Sequence, residues 1–263
     1  MCHGGEEDGP LVQLCGCRGT ATWAHKHCVE VWRRTSARED AAYRCGQCMD
    51  HYRDALSIEL LSARLQAERA DGEAACFTLD TLATELQGQG KYDEAEPLFR
   101  EALEVRRETL GNRHLDTLTS INNLGLLLKV NGELTAAEPL YREALKVRRE
   151  TLGNRHPDTL ASINNLGTLL YAKGDLAAAE PLCRETLKVR RETLGNRHPD
   201  TLTSINNLGG LLQAKGDLAA AEPLYREAMK GMRETLGDRH PTTLTCIRNL
   251  GALLKAKADL GMH

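Results

Sequence analysis

Apolar positions recur at three- and four-residue steps along most of this chain. Leu118, Ile121, Leu124 and Leu128 form one such stripe, and Ala137, Leu140, Tyr141, Ala144 and Leu145 form another. Both have the period of an amphipathic helix rather than the alternation of a strand. Gly132-Glu133 separates the two stripes, Gly111-Asn112 closes the preceding unit, and Pro157-Asp158-Thr159 opens the next. Proline loses no hydrogen bond in a first helical turn, and an acidic residue suits its positive end. The whole pattern returns every 42 residues. Ser-Ile-Asn-Asn-Leu-Gly stands at 120–125, 162–167 and 204–209, Cys246-Ile-Arg-Asn-Leu-Gly251 continues the series, and Ala-Glu-Pro-Leu recurs around Pro97, Pro139, Pro181 and Pro223. A repeat of this length predicts a solenoid of helical hairpins over residues 73–263, with four repeats and the first helix of a fifth.

Residues 53–72 read as a connecting helix. Positions 53–70 hold no Gly or Pro, Leu56, Leu60, Ala63 and Ala67 fall at helical spacing, and Asp71-Gly72 ends the run. This helix is expected to pack on the first repeat. Residues 1–52 are different, with no apolar run long enough to build a core.

Composition narrows the class. The chain is 41% hydrophobic but only 4% aromatic, which fits Leu/Ala-rich helices that approach closely. A net charge of -3 gives no electrostatic case for nucleic acid. No apolar run approaches the ~18 residues of a membrane span, and no charged-then-apolar leader opens the chain. The expectation is a soluble, cytoplasmic protein.

Six of the nine cysteines lie in the first 48 residues, in close pairs and beside histidine. Without a secretory signal, that placement reads as metal ligation rather than disulfide bonding. The donors are Cys2, Cys15, Cys17, His25, Cys28, Cys45 and Cys48. Zinc takes four such donors at tetrahedral corners, and a close pair supplies two corners from one loop. Cys15 and Cys17 therefore combine either with His25 and Cys28 or with Cys45 and Cys48. No Ser–His–Asp arrangement or phosphate loop accompanies them, and Cys76, Cys183 and Cys246 read as buried thiols.

Cys15-Gly-Cys17-Arg-Gly-Thr, His25-Lys-His-Cys28-Val-Glu-Val-Trp32 and Cys45-Gly-Gln-Cys48 resemble the RING-CH (RING-variant) family of ubiquitin ligases over about residues 1–52. A PHD finger would want C-x-x-C at Cys15 and a shorter gap to the histidine. The resemblance implies two zincs in a cross-brace. Cys15, Cys17, Cys45 and Cys48 would make one complete site. Cys2, His25 and Cys28 would make the other, which lacks its first family ligand. That ligand would precede Met1, so either the sequence is cut at its start or this site has three family ligands. His3 and His27 are expected to face solvent. The resemblance further implies a ubiquitin-conjugating enzyme as partner. Met1 would stand at the apolar loop position that meets it, and Val29 and Trp32 on one face of the helix after Cys28. Trp32 is equally read as capping the small core. Such modules use no covalent nucleophile and act by positioning the charged conjugating enzyme.

The 42-residue unit resembles the tetratricopeptide repeat (TPR). Leu124-Gly125 matches its Leu-Gly, Leu128 stands for its first-helix aromatic, and Ala137, Tyr141 and Ala144 give its small–aromatic–small pattern, while Ile121 replaces the usual tryptophan. The family unit has about 34 residues, so the extra length is expected in the second helix and its loop. With its Asn-Asn-Leu and Leu-Gly-x-x-His-Pro segments, the unit is similar to kinesin light chain repeats, though the light chain's heptad coiled coil is absent. The resemblance implies an α-α superhelical solenoid whose first helices line a concave peptide groove. Asn123, Asn165, Asn207 and Asn249 would face that groove, unless one asparagine of each pair bridges neighbouring helices. Peptide preference would be set by positions that differ between repeats, Leu126/Thr168/Gly210/Ala252 and Lys129/Tyr171/Gln213/Lys255, with the lysines favouring an acidic target. The recurrent His114, His156, His198 and His240 read as packing at helix starts. Cys183, in the place of Tyr141 and Tyr225, predicts an under-filled core.

The sequence thus describes a mostly α protein, a zinc-stabilised cross-brace module followed by a TPR solenoid. Its expected role is a ubiquitin-protein ligase whose groove recruits a protein substrate. The alternative is a non-catalytic TPR adaptor with a degenerate zinc module.

Overall fold

The computed structural model describes residues 11–12, 24–25, 55–69 and 72–261. In the amino-terminal segment, β1 (Leu11–Val12) and β2 (Ala24–His25) pair antiparallel, with Leu11 opposite His25 and Val12 opposite Ala24. The remaining described residues are helices and the turns between them. These helices are α1 (Ala55–Glu68), α2 (Gly72–Gly88), α3 (Tyr92–Thr109), α4 (Leu115–Val130), α5 (Leu134–Leu152), α6 (Pro157–Ala172), α7 (Leu176–Leu194), α8 (Pro199–Ala214), α9 (Leu218–Leu236) and α10 (Pro241–Asp259). The architecture is a mostly helical array. The second helices α5, α7 and α9, at 19 residues each, are longer than the first helices α4, α6 and α8 at 16.

Glycine sets the turns. Gly132, Gly174 and Gly216 follow the first helices with φ of 87°, 80° and 85°, a left-handed backbone that a Cβ would oppose. The histidines mark the opposite ends. His156 and His198 are the N-caps of α6 and α8, and each accepts a hydrogen bond at Nδ1 from the backbone N–H of Asp158 or Asp200 at 3.2 Å. Imidazole here does the work that Ser or Asp usually does at a cap.

The helices fall into two compact units divided within α4, at Leu127 and Leu128. In the first, Cys76, Leu79, Leu82, Ala83 and Leu86 of α2 meet Ala95, Phe99, Ala102 and Leu103 of α3, and all are buried. α1 packs on α2, and the Thr78 hydroxyl donates to Glu68 at 2.6 Å. The face it buries is shifted from the expected one. Ser57, Leu61 and Leu65 are buried, whereas Leu60 is half-buried and Ala63 and Ala67 are exposed. Leu60 and Leu61 make two stripes possible, and packing against α2 selects the one with Leu61 and Leu65. In the second unit the same plan repeats. Leu160, Ile163 and Leu166 of α6 lie beneath Ala179, Cys183 and Leu187 of α7, and Leu202, Ile205 and Leu208 of α8 beneath Ala221, Tyr225 and Ala228 of α9.

Candidate functional site

The first helices α4, α6 and α8 carry Asn-Asn pairs and α10 an Arg-Asn pair, and the structure bridges asparagines between repeats. Asn207 Nδ2 donates to Asn164 Oδ1 at 3.0 Å, and Asn249 Nδ2 to Asn206 Oδ1 at 3.1 Å. The second asparagine of one repeat is thus tied to the first asparagine of the repeat before. This bridging leaves Asn207 and Asn249 each with a carbonyl oxygen to offer, and Asn164 and Asn206 each with an amide N–H₂. In the first unit Asp80 takes the place of the first asparagine. It forms an ion pair with Arg106, yet burial lifts its carboxyl above the ordinary range in spite of that guanidinium. Asn123 and Asn165 are half-buried.

A pocket of about 540 Å³ opens beside this ladder. Tyr171, Asn207, Gln213 and Asn249, all expected at the groove, line it together with Cys183 and Tyr225. Its cause is a set of small residues. Cys183 stands where Tyr141 and Tyr225 fill the core, and Gly210 and Ala252 stand where Leu126 stands in α4. Tyr225 lies flat on Gly209, where an added Cβ would come within 3.1 Å of the ring. Its hydroxyl donates to Gln213 Oε1 at 3.0 Å, and burial pushes its pKa up to about 12. Burial likewise pushes the Cys183 thiol up to about 11, so it is an unreactive wall. Among the described residues no charged side chain lines the pocket.

Lys129 is held by the next repeat. Its Nζ donates to Thr168 Oγ1 at 2.7 Å, and burial lowers its pKa. Lys255 is exposed. The inward reach of Tyr225 and the role of Thr168 as partner to Lys129 were missed in the sequence. A signal existed at one repeat: where the packed tyrosine is replaced by Cys183, the groove position carries an aromatic, Tyr171.

Of the expected zinc ligands only His25 falls among the described residues, on β2 with its backbone opposite Leu11. Cys2, Cys15, Cys17, Cys28, Cys45 and Cys48 lie outside them, as do Met1, Val29 and Trp32. Among the described residues no group of His, Cys, Asp or Glu is placed to hold a metal ion. No helix there is long and apolar enough to cross a membrane.

Comparison with known proteins agrees with this division. Residues 73–129, 118–192, 161–234 and 200–261 match the tetratricopeptide repeat family, and residues 1–48 match the RING-variant domain. The chain belongs to the tetratricopeptide repeat family and carries a RING-variant domain at its amino terminus. Among solved structures, a putative kinesin light chain of Podosopora anserina with nearly identical TPR-like repeats is 25% identical, with a TM-score of 0.60 over 74% of this chain and 89% of that one. BtubC from P. vanneervenii is 24% identical, with a TM-score of 0.64 over 78% and 84%. The repeats are therefore kinesin light chain-like in fold. Over 46 residues, 18% of this chain, the sequence is 39% identical to the E3 ubiquitin-protein ligase MIR1 of Murid herpesvirus 4. The chain spans about a fifth of that relative, 21% of its length.

Proposed function

We propose that this protein is a cytoplasmic, zinc-binding RING-CH ubiquitin-protein ligase. Its amino-terminal module positions a ubiquitin-charged conjugating enzyme, and its repeat groove recruits the protein to be modified. The observation that carries this reading is the RING-variant match over residues 1–48 on a chain whose repeats hold a groove pocket. The thiolate and imidazole donors of that segment suit zinc. Cys15, Cys17, Cys45 and Cys48 would hold one ion, and Cys2, His25 and Cys28 would contribute to a second. Bound zinc supplies folding energy, about 10–16 kcal/mol in small fingers, to a segment with little apolar core. Val29, Trp32 and Met1 would meet the conjugating enzyme, which is held so that its thioester faces a substrate lysine; the gain is one of proximity and orientation.

The test is autoubiquitination with a panel of conjugating enzymes, with and without a zinc chelator, alongside zinc content per chain. Ligation that the chelator abolishes is the expected result. Trp32→Ala should lower it about tenfold or more without loss of zinc. No ligation across the panel with both sites loaded would sink the ligase reading. A second reading is a non-catalytic TPR adaptor whose zinc module is degenerate. One zinc per chain with no ligation would select it.

A further inference from the structure

We infer that the pocket beside Cys183 takes a tyrosine side chain of the protein that, on the reading above, the groove recruits, seated where this repeat has lost its own tyrosine. Three successive repeats build the pocket. Thr168 and Tyr171 of α6 stand on one side of α8, and Asn249 and Ala252 of α10 on the other. The residue whose small size opens it, Cys183, lies on α7, which packs against both α6 and α8. Its shape is therefore set inside the array and does not depend on what lies beyond the last helix.

The neighbouring repeat shows what this place is built to hold. Tyr225 lies on Gly209, whose added Cβ would come within 3.1 Å of the ring, and its hydroxyl donates to Gln213 at 3.0 Å. One repeat earlier the glycine floor is kept, as Gly167, but a single sulfur covers it, with Cys183 Sγ 3.4 Å from the added Cβ. At the place of Gln213 stands Tyr171, 42% exposed, which offers a ring as one wall. Rings favour one another in offset or edge-to-face contact, and a buried thiol behaves as a small apolar neighbour. The volume of about 540 Å³ lies within the usual range of ligand clefts, about 300–1,000 Å³.

Polarity narrows the choice to tyrosine. The bonds from Asn207 to Asn164, from Asn249 to Asn206 and from Tyr225 to Gln213 use one end of each carboxamide. The amide N–H₂ groups of Asn206 and Gln213 and the carbonyl oxygens of Asn207 and Asn249 keep no partner among the described residues. A phenol hydroxyl both donates to such an oxygen and accepts from such an N–H, whereas a phenyl or aliphatic side chain does neither. An ion is disfavoured, because no charged side chain among the described residues lines the pocket and Lys129 is held on Thr168 at 2.7 Å. Phosphorylation of the incoming tyrosine should therefore block its entry.

The probes are four peptides, Ser-Gly-Ser-X-Ser-Gly-Ser with Tyr, Phe, phosphotyrosine or Ala at X, titrated onto the whole chain and followed by ligand-observed NMR. The tyrosine peptide should bind most tightly, by about tenfold or more over the alanine and phosphotyrosine peptides. In the protein, Cys183→Tyr supplies the ring that Tyr141 and Tyr225 give their own repeats. It should weaken the tyrosine peptide about tenfold or more without lowering the melting temperature. Cys183→Ala keeps the pocket open and should leave binding nearly unchanged, so the pair separates filling the site from disturbing the fold. A tyrosine peptide bound no better than any of the other three would overturn the inference, as would binding indifferent to Cys183→Tyr. Autoubiquitination needs no peptide in the groove, so it tests the ligase reading by itself.

Discussion

At the scale of residues, near-identical repeats act as internal controls. Tyr141 is 1% exposed, and Cys183, at the same place one repeat on, borders the pocket. Tyr141→Ala should therefore destabilise the array by about 3–5 kcal/mol, against about 1 kcal/mol for Cys183→Ala, which removes only a sulfur from a wall already open. Urea unfolding of the two variants checks the contrast. A second comparison concerns a buried cation. Arg190, 8% exposed, donates to Ser204 Oγ at 2.8 Å and to the Asp200 carbonyl at 3.0 Å, and Arg148 does likewise with Ser162 and Asp158. In the last repeat both members have become apolar, as Met232 and Cys246, each no more than 1% exposed. Ser204→Ala should cost about 1–3 kcal/mol, since it strands a buried donor. Arg190→Met with Ser204→Cys, which copies the last repeat, should be neutral or stabilising. Melting temperatures of the single and double variants decide it.

At the scale of elements, the array is stitched along one edge by carboxylates held from two sides. Glu180 accepts from Arg184 within its own helix and from Lys215 of the next repeat at 2.5 Å, Glu222 does the same with Arg226 and Lys257, and Glu138 pairs with Arg142 and Lys173. Hydrogen bonds from these lysines and arginines hold all three carboxyls below their ordinary pKa. A carboxylate whose folded pKa is depressed adds stability above its unfolded value, near 4.3, and loses it as the pH falls through the folded value. Thermal unfolding should therefore show the array weakening below about pH 4. Replacing Lys173, Lys215 and Lys257 with Met should flatten that dependence. An unchanged slope would remove these clamps from the account.

At the scale of the whole molecule, the repeats and the proposed zinc module would draw on different sources of stability. The repeats bury leucine and alanine between neighbouring helices, so each hairpin is stabilised by the next. A chelator should thus leave the helical circular dichroism signal almost intact while releasing zinc and abolishing ligation. Loss of most of the helical signal would show that the array depends on the amino-terminal module.

The sequence by itself determined the repeat, its 42-residue period and the places of the turns, and it carries the close cysteine pairs from which zinc ligation is expected. All of these are local, written in steps of three and four residues, in glycines that must take a left-handed backbone and in close cysteine pairs. The RING-variant resemblance was legible in the same way, from Cys15-Gly-Cys17 to Cys45-Gly-Gln-Cys48. Which stripe of α1 is buried was not, because Leu60 and Leu61 satisfy two helical templates and only the neighbouring helix chooses. The space beside Cys183 was foreshadowed by the missing tyrosine, whereas the bridging of asparagines between repeats and the withdrawal of Lys129 onto Thr168 were not. Those depend on side chains 35 or more positions apart, such as Asn164 and Asn207, which meet only when one repeat is stacked on another. Tertiary packing decided them because it fixes which polar atoms find partners and which small residues leave space.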